Sequence, residues 1–404
     1  MKLALIIDDY LPRSTRVGAK MFHELALELS SLGHNVTIIT PDYQQSSRLT
    51  QTSLNGIDVW RFRNGPIKDT GKVRRAINEL LLSFNGWLAI RKIVNSESFE
   101  GIVFYSPSIF WGGLISFLKK RCSCPSYLVL RDLFPQWVID AGMIKQGSPT
   151  ERFFRFFEHY SYKQANKIGL MSEKNLELFV AQNPYYPCEV LRNWASLDPS
   201  TIIQHDYPSV REVHQLKNKI IFFYGGNIGH AQDMMNLMRL VRNMQHHPQA
   251  HFLFVGQGDE VELIVNAAEE WKLSNFTYLH SVPQNEFKRI LSETDVGLFS
   301  LSPSHTAHNF PGKLLGYMVE SLPILGSVNS GNDLQDIVNS AEAGAIHING
   351  EDDKLLSSAE TLLQNNELRH EMGRKAFILL NEQFSVHSAA ELIITSLRKC
   401  NAPG

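Results

Sequence analysis

Short apolar runs of strand length alternate along this chain with longer segments of helical period. Residues 3–7 are uninterrupted apolar, the pattern of a strand buried on both faces. A helical pattern covers residues 19–32 and stops at Gly33-His34, where glycine suits the turn just past a helix end. Further strand-like runs lie at 35–40, 57–62, 101–105, 127–130 and 168–171. This rhythm predicts a parallel sheet with helices on both faces. It restarts at 219–224 and continues through Gly225-Gly226-Asn227-Ile228-Gly229, a helix over 234–244, a strand at 251–255 and Gly256-Gln257-Gly258. Two more strands are predicted at 296–299 and 323–325. Residues 197–218, with Pro199 and Pro208 and little periodicity, read as a linker. The pattern therefore predicts an α/β protein of two doubly wound parallel-sheet domains, 1–197 and 215–383, facing a cleft. A last helix, within 384–400, follows a break near Phe384-Ser385.

Composition narrows the class. A length of 404 residues exceeds one ordinary core and suits two domains. A hydrophobic share of 43% with 20% charged residues is that of a globular protein, and a net charge of -2 argues against a general nucleic-acid binder. Cys122, Cys124, Cys188 and Cys400 show neither metal spacing nor the Cys-x-x-Cys redox motif, so reduced thiols and a cytoplasmic setting are expected. Asp8 and Asp9 end the first apolar run, which reads as a strand rather than a signal peptide. No apolar run has the length of a membrane span, so any membrane is met from the side.

The segment His308-Asn309-Phe310-Pro311-Gly312-Lys313-Leu314-Leu315-Gly316 reads as a loop entering a helix. Pro311 fits the first turn. Lys313 does not, because a cation there opposes the helix dipole. A bound anion removes the conflict, and a helix start beside a lysine makes a phosphate site; the other reading is a solvated lysine. In open parallel sheets ligands bind beyond the carboxyl ends of the strands. The loop 8–18 occupies such an end and carries Arg13, Arg16 and Gly18, the last serving ligand approach or helix–sheet packing. The 225–229 loop is glycine-rich but lacks both the Gly-Lys-Ser/Thr of a P-loop and the G-x-G-x-x-G spacing. Gly256-Gln257-Gly258 is placed to wall a nucleotide base. Arg131-Asp132 follows the 127–130 strand, and forms either a loop ion pair or a sugar site with Asp132 accepting hydroxyl hydrogen bonds. The histidines at 280, 305 and 308 have no convergent partners, so no metal is expected; no G-x-S-x-G elbow is present.

Residues 68–94 present Val73, Ile77, Leu80, Leu81, Phe84, Trp87 and Leu88 on one helical face, widened by Leu82 and Ile90. Lys72, Arg74, Arg75, Arg91 and Lys92 flank them. Such a helix, 72–94, either dips into a bilayer interface with its cations on anionic headgroups or packs on the sheet. The run 114–118 before Lys119-Lys120-Arg121 adds to the first reading.

In order, the loop ending at Gly18, Gly33-His34-x-Val36-Thr37, Arg192-Asn193, the glycine loop, Gly256-x-Gly258, Asp295-Val296-Gly297-Leu298 and the 311–323 segment resemble family-4 glycosyltransferases of GT-B architecture. Several segments are similar to WbuB-type N-acetyl-L-fucosaminyltransferases of O-antigen synthesis. The resemblance implies a Rossmann-like acceptor-binding first domain, a nucleotide-sugar-binding second domain and a final helix crossing back to the first. It implies a hexosyl-type, retaining transfer of N-acetyl-L-fucosamine from a UDP-sugar to a lipid-diphosphate-linked sugar, at the inner face of a bacterial membrane. UDP-sugar is then a substrate, and neither cofactor nor metal is required. The family's two glutamates fall here on His308 and Gly316, and its basic pair on Asn227 and on Ala231 or Gln232. Lys313 and Arg192 are the cations left for the diphosphate, and Glu320 lies one turn beyond Gly316. Arg131 replaces the histidine common beside the first-domain aspartate. The residues implied are Asp132, Lys313 and Arg131 for catalysis; Gly226, Asn227, Arg192, Gly256, Ser281, His308, Asn309, Pro311, Lys313, Leu314 and Glu320 for the donor; and Arg13, Arg16 and Gly18 for the acceptor. Two alternatives are a UDP-sugar epimerase and a non-catalytic nucleotide-sugar-binding GT-B subunit.

Overall fold

Eight strands build the sheet of the first domain: β1 (Lys2–Ile6), β2 (Asn35–Asp42), β3 (Leu49–Leu54), β4 (Ile57–Arg63), β5 (Gly101–Tyr105), β6 (Ser126–Val129), β7 (Lys167–Leu170) and β8 (Cys188–Val190). Their order is β3-β4-β2-β1-β5-β6-β7-β8, parallel except for β3 against β4. These are the strands of a computed structural model, which describes all residues except 15, 69, 107, 132, 141–142, 198–206, 305–310 and 402–404. The chain divides into Met1–Trp194 with Val386–Gly404, and Ala195–Ser385.

The period-2 geometry of β1 sends alternate side chains to opposite cores. Leu3 and Leu5 pack with Phe22, Leu25 and Leu29 of α1 (Val17–Ser31). Ala4 and Ile6 pack on the other face with Leu82, Trp111, Leu114 and Leu118. Because both faces are covered, the strand reads as continuous apolar sequence. The chain leaves this domain at Trp194, whose indole N–H donates to the Met21 carbonyl at 3.0 Å. It returns as the helix Val386–Asn401. Ala390, Ile393 and Leu397 of that helix join the α1 core, and His387 Nδ1 meets Glu28 Oε1 at 2.7 Å.

The described residues of the second domain form a sheet of six parallel strands: β9 (Ile220–Asn227), β10 (Ala250–Gln257), β11 (Phe276–His280), β12 (Val296–Ser300), β13 (Ile324–Val328) and β14 (Gly344–Ile348). Their order is β11-β10-β9-β12-β13-β14. The chain winds away in opposite directions from β9 and β12, which makes the carboxyl ends of this pair the topological switch point.

Two sequence expectations are corrected. The segment 72–94 is not one helix: α2 (Lys72–Leu80) and α3 (Leu82–Ile90) meet at Leu81, and Leu82 and Ile90 are fully buried rather than part of an outer apolar surface. The run 114–118 belongs to α4 (Gly112–Cys122), whose Leu114, Ile115 and Leu118 are buried in the core. The helices close up through small residues: a Cβ on Gly86 would sit 3.0 Å from the Leu114 side chain. Val73, Ile77, Leu80, Leu81 and Phe84 remain exposed.

Candidate active site

β9 delivers the glycine loop. Gly226 has φ +118°, a left-handed conformation that strains any residue bearing a Cβ. Gly256, at the matching position of β10, leaves no room for a side chain, since a Cβ there would overlap the Gly226 carbonyl. The two strand ends therefore touch backbone to backbone. Tyr317 braces the loop from below: its hydroxyl accepts from the Gly225 N–H at 3.2 Å and donates to the Leu298 carbonyl at 3.1 Å.

The helix Gly312–Val319 starts beside this loop, with Pro311 as a cap lacking any side-chain acceptor. Leu314, Leu315, Tyr317 and Met318 anchor it in the core. Lys313 leaves that apolar face and reaches to Gly226, where a Cβ would lie 3.7 Å from Nζ. Although the Lys313 stem is partly exposed, its ammonium is enclosed and has no hydrogen-bond partner among the described residues. Nζ sits 3.7 Å from the centroid of the Tyr224 ring, a cation–π contact. Burial pushes the Lys313 pKa down to about 7. An enclosed ammonium that meets a ring face and no counter-ion among the described residues is costly, and an anion entering over Gly226 would offset that cost.

Beside the loop lies a cavity of about 280 Å³, walled by Gly226, Asn227, Gly256, Gln257, Ser281, Val282 and Phe287. Ser281 Oγ donates to Gln257 Oε1 at 2.9 Å, and Asn227 Nδ2 to Gln232 Oε1 at 2.8 Å. Gly226, Asn227, Gly256, Ser281 and Lys313 are thus gathered at the carboxyl ends of β9 and β10, with Pro311 capping the helix that carries Lys313. Gln257, from the Gly256-Gln257-Gly258 segment expected to wall a base, lies among them, and Tyr224, Phe287 and Tyr317 belong with them without having been expected as site residues. Tyr224 gave no signal of its own, being one aromatic in a buried strand.

Other expectations place differently. Leu314 is a core side chain whose N–H is already bonded to the Pro311 carbonyl at 3.1 Å, so it is not a free donor group. Glu320 follows the helix end, about 10 Å along the axis from Lys313 at the standard rise. Arg131 is buried in the first domain and braces the exit of the chain: it donates to the carbonyls of Leu191 at 2.6 Å and Arg192 at 3.0 Å, with its guanidinium 5.2 Å from the Trp194 ring centroid. Arg192 is ion-paired with Glu173 at 2.6 Å. Asp132, His308 and Asn309 lie outside the described residues.

One of the comparisons with known proteins falls on the second domain. Residues 206–378 match the family model of glycosyl transferases group 1. This group 1 segment contains every residue of the Lys313 site. A curated relative, the probable glycosyltransferase WbjE of Pseudomonas aeruginosa, is 24% identical over 220 residues, 54% of this chain and 54% of that protein. The chain therefore spans about half the length of the curated relative it matches. Among solved structures, trehalose-6-phosphate synthase from E. coli bound with UDP-2-fluoro glucose superposes with a TM-score of 0.71 at 11% identity over 99% of both chains. WaaG, a glycosyltransferase involved in lipopolysaccharide biosynthesis, gives 0.61 at 13% identity over 98% of this chain and 99% of its own. The fold is GT-B, with two parallel-sheet α/β domains.

Outside the group 1 segment, Arg13 and Arg16 line a second cavity, of about 450 Å³, at the carboxyl ends of β1, β2 and β4. Arg13 pairs with Asp42, and Arg16 lies 3.6 Å from Asp9. Lys68 bridges Asp8 at 3.1 Å and Asp9 at 3.5 Å. Gly18 is not in this wall. It lies in the first turn of α1, where a Cβ would approach the Tyr105 hydroxyl to 3.0 Å, which is a packing reason for glycine.

Proposed function

We propose that this protein is a glycosyltransferase that moves a sugar from a UDP-sugar to a lipid-linked sugar acceptor during synthesis of a bacterial surface polysaccharide. The observation that carries the reading is the enclosed Lys313 ammonium, without a hydrogen-bond partner among the described residues, facing Gly226 in a group 1 segment. When the bond from the anomeric carbon to phosphate breaks, negative charge grows on the departing diphosphate. Lys313 and the start of its helix are held in place before that charge appears, so no reorganisation is needed, which is what preorganised stabilisation requires. The uridine moiety is assigned to the wall of Gly256, Gln257 and Ser281. Asp132 is assigned to the sugar hydroxyls and the first domain to the acceptor. Retention at the anomeric carbon, with the leaving phosphate taking the acceptor proton, and N-acetyl-L-fucosamine as the donated sugar follow from the family resemblance. The likeness to WbjE and WaaG supports the polysaccharide setting. Among the described residues no helix is long and apolar enough to cross a membrane, and we assign the protein to the membrane's inner face through α2 and α3.

Titration calorimetry with UDP, followed by a panel of UDP-sugars with a lipid-diphosphate-linked N-acetylglucosamine acceptor, tests the reading. Folded protein that binds UDP and consumes UDP-N-acetyl-L-fucosamine only with acceptor present supports it. A donor altered without acceptor supports the epimerase instead, and failure to bind UDP at all removes the proposal.

A further inference from the structure

Two adjacent histidines and a glutamate far along the chain meet on the second domain, away from the glycine loop. His246 and His247 lie in the turn between the helix Met234–Asn243 and β10, and Glu360 lies in the helix Asp352–Gln364. The atoms with which these three side chains could ligate a metal all lie within 4.8 Å of one another. His247 Nε2 stands 3.1 Å from Glu360 Oε1, and the two imidazole centroids are 4.0 Å apart. Among the described residues no other three histidine, cysteine or acidic side chains are drawn together so closely.

The core fixes this meeting. The His247 N–H donates to the Met244 carbonyl, and the His247 carbonyl accepts from the Ala250 N–H, each at 3.0 Å, so the turn is pinned on both sides. Met244 and Ala250 are buried in the same cluster as Ala359 and Leu363 of the glutamate's helix. Turn and helix therefore cannot drift apart without opening a close-packed core. Zinc binds imidazole nitrogen and carboxylate oxygen at about 2.0–2.2 Å, which sets tetrahedral ligand atoms about 3.3–3.4 Å apart. The His247–Glu360 pair already has nearly that spacing. His246 is exposed, so its ring can rotate to close the rest. Two imidazoles suit a cation such as zinc, whereas Mg²⁺ and Ca²⁺ take shells of oxygen.

We propose that His246, His247 and Glu360 bind a divalent transition cation of the zinc class, which clips the turn before β10 to the helix Asp352–Gln364. Three protein ligands leave one position of a tetrahedral ion to water. The site stands at the amino end of β10, whereas Gly256 of the 280 Å³ cavity is at its carboxyl end, about 20 Å along the strand. The ion is therefore structural and takes no part in sugar transfer, and the proposal stands apart from the donor reading. Its third ligand lies 113 residues beyond His247, so no local spacing marks it in the sequence.

The test titrates zinc chloride and magnesium chloride separately into the metal-stripped full chain by calorimetry, near neutral pH because coordination requires neutral imidazole. Zinc is expected to bind and magnesium is not. His246→Ala and Glu360→Gln are each expected to weaken one equivalent of zinc by at least about tenfold, since even a group that only supports a ligand is worth that much. With free zinc about a hundredfold above the wild-type Kd, the melting temperature should rise by roughly 5–10 °C in the wild type and by far less in either variant. His246 is exposed and glutamine keeps the shape of glutamate, so both variants should fold, which circular dichroism without metal checks. Wild-type zinc affinity in either variant would place the ion elsewhere, on the free thiols or on a His247–Glu360 pair alone, and would overturn the proposal. Magnesium binding as tightly as zinc, or no zinc bound at all, would overturn it as well.

Discussion

Replacing Lys313 by methionine should make the second domain more stable while depriving it of its ligand. Methionine is an unbranched side chain one atom shorter than lysine, with no atom in the place of Nζ, and brings no charge into the enclosed position. Burial lowers the Lys313 pKa from 10.5 to about 7, a difference worth on the order of 5 kcal/mol between protonation states at about 1.4 kcal/mol per unit. Because the folded-state value is the lower one, the unfolded chain binds more protons between pH 7 and 10.5, and stability rises with pH across that window. Below pH 7 the full cost is present. Between pH 7 and 9 the wild type should gain about 2 kcal/mol from this one group, whereas Lys313→Met should show none of that gain. At pH 7 the variant should be the more stable by up to about 4 kcal/mol. The assay is urea unfolding at pH 7 and 9, read on the transition that UDP shifts in the wild type, since that transition belongs to the ligand-binding domain. The difference between proteins of their pH differences cancels the other titrating groups. Identical pH dependence in the two proteins would refute the claim that this ammonium is buried without a counter-ion.

Gly226→Ala should abolish detectable UDP binding and cost about 1–2 kcal/mol, because alanine disfavours φ +118°; differential scanning calorimetry with and without UDP reads both effects. Tyr317→Phe removes the hydroxyl that joins the Gly225 N–H to the Leu298 carbonyl and should cost about 1–3 kcal/mol, with UDP affinity falling alongside as the loop loosens. Leu397→Ala in the returning helix should destabilise the first domain by about 2–5 kcal/mol and leave UDP affinity where it was; a matching loss of UDP binding would show that the helix serves the second domain instead.

The buried parallel strands were the legible part of the sequence, because covering both faces leaves uninterrupted apolar runs such as Leu3–Ile6. The strands missed lack that mark. β3 is an edge strand of threonine, serine and glutamine, largely exposed, and β8 has three residues, all half-buried. β11 and β14 are the two edges of the second sheet, half-buried for most of their length. At the site, Lys313 was visible because a cation in a first helical turn conflicts with the dipole. Arg131 and Arg192 looked like ligand groups for the same reason any arginine near a strand end does; their carbonyl and carboxylate partners lie about 20 to 60 residues away and have no local signature. The contact that fixes Gly256, the Gly226 carbonyl, is likewise a meeting of two strands that only register reveals.

The central claim, that Lys313 grips the diphosphate of UDP with an ammonium that burial otherwise disfavours, is tested most directly by proton uptake. At pH 8 a lysine with a pKa of about 7 is roughly nine-tenths neutral, and UDP is already fully ionised. Calorimetric titration of UDP in two buffers of different ionisation enthalpy should therefore show the wild type taking up close to one proton and Lys313→Met taking up none. UDP binding by the wild type with no proton taken up would contradict it.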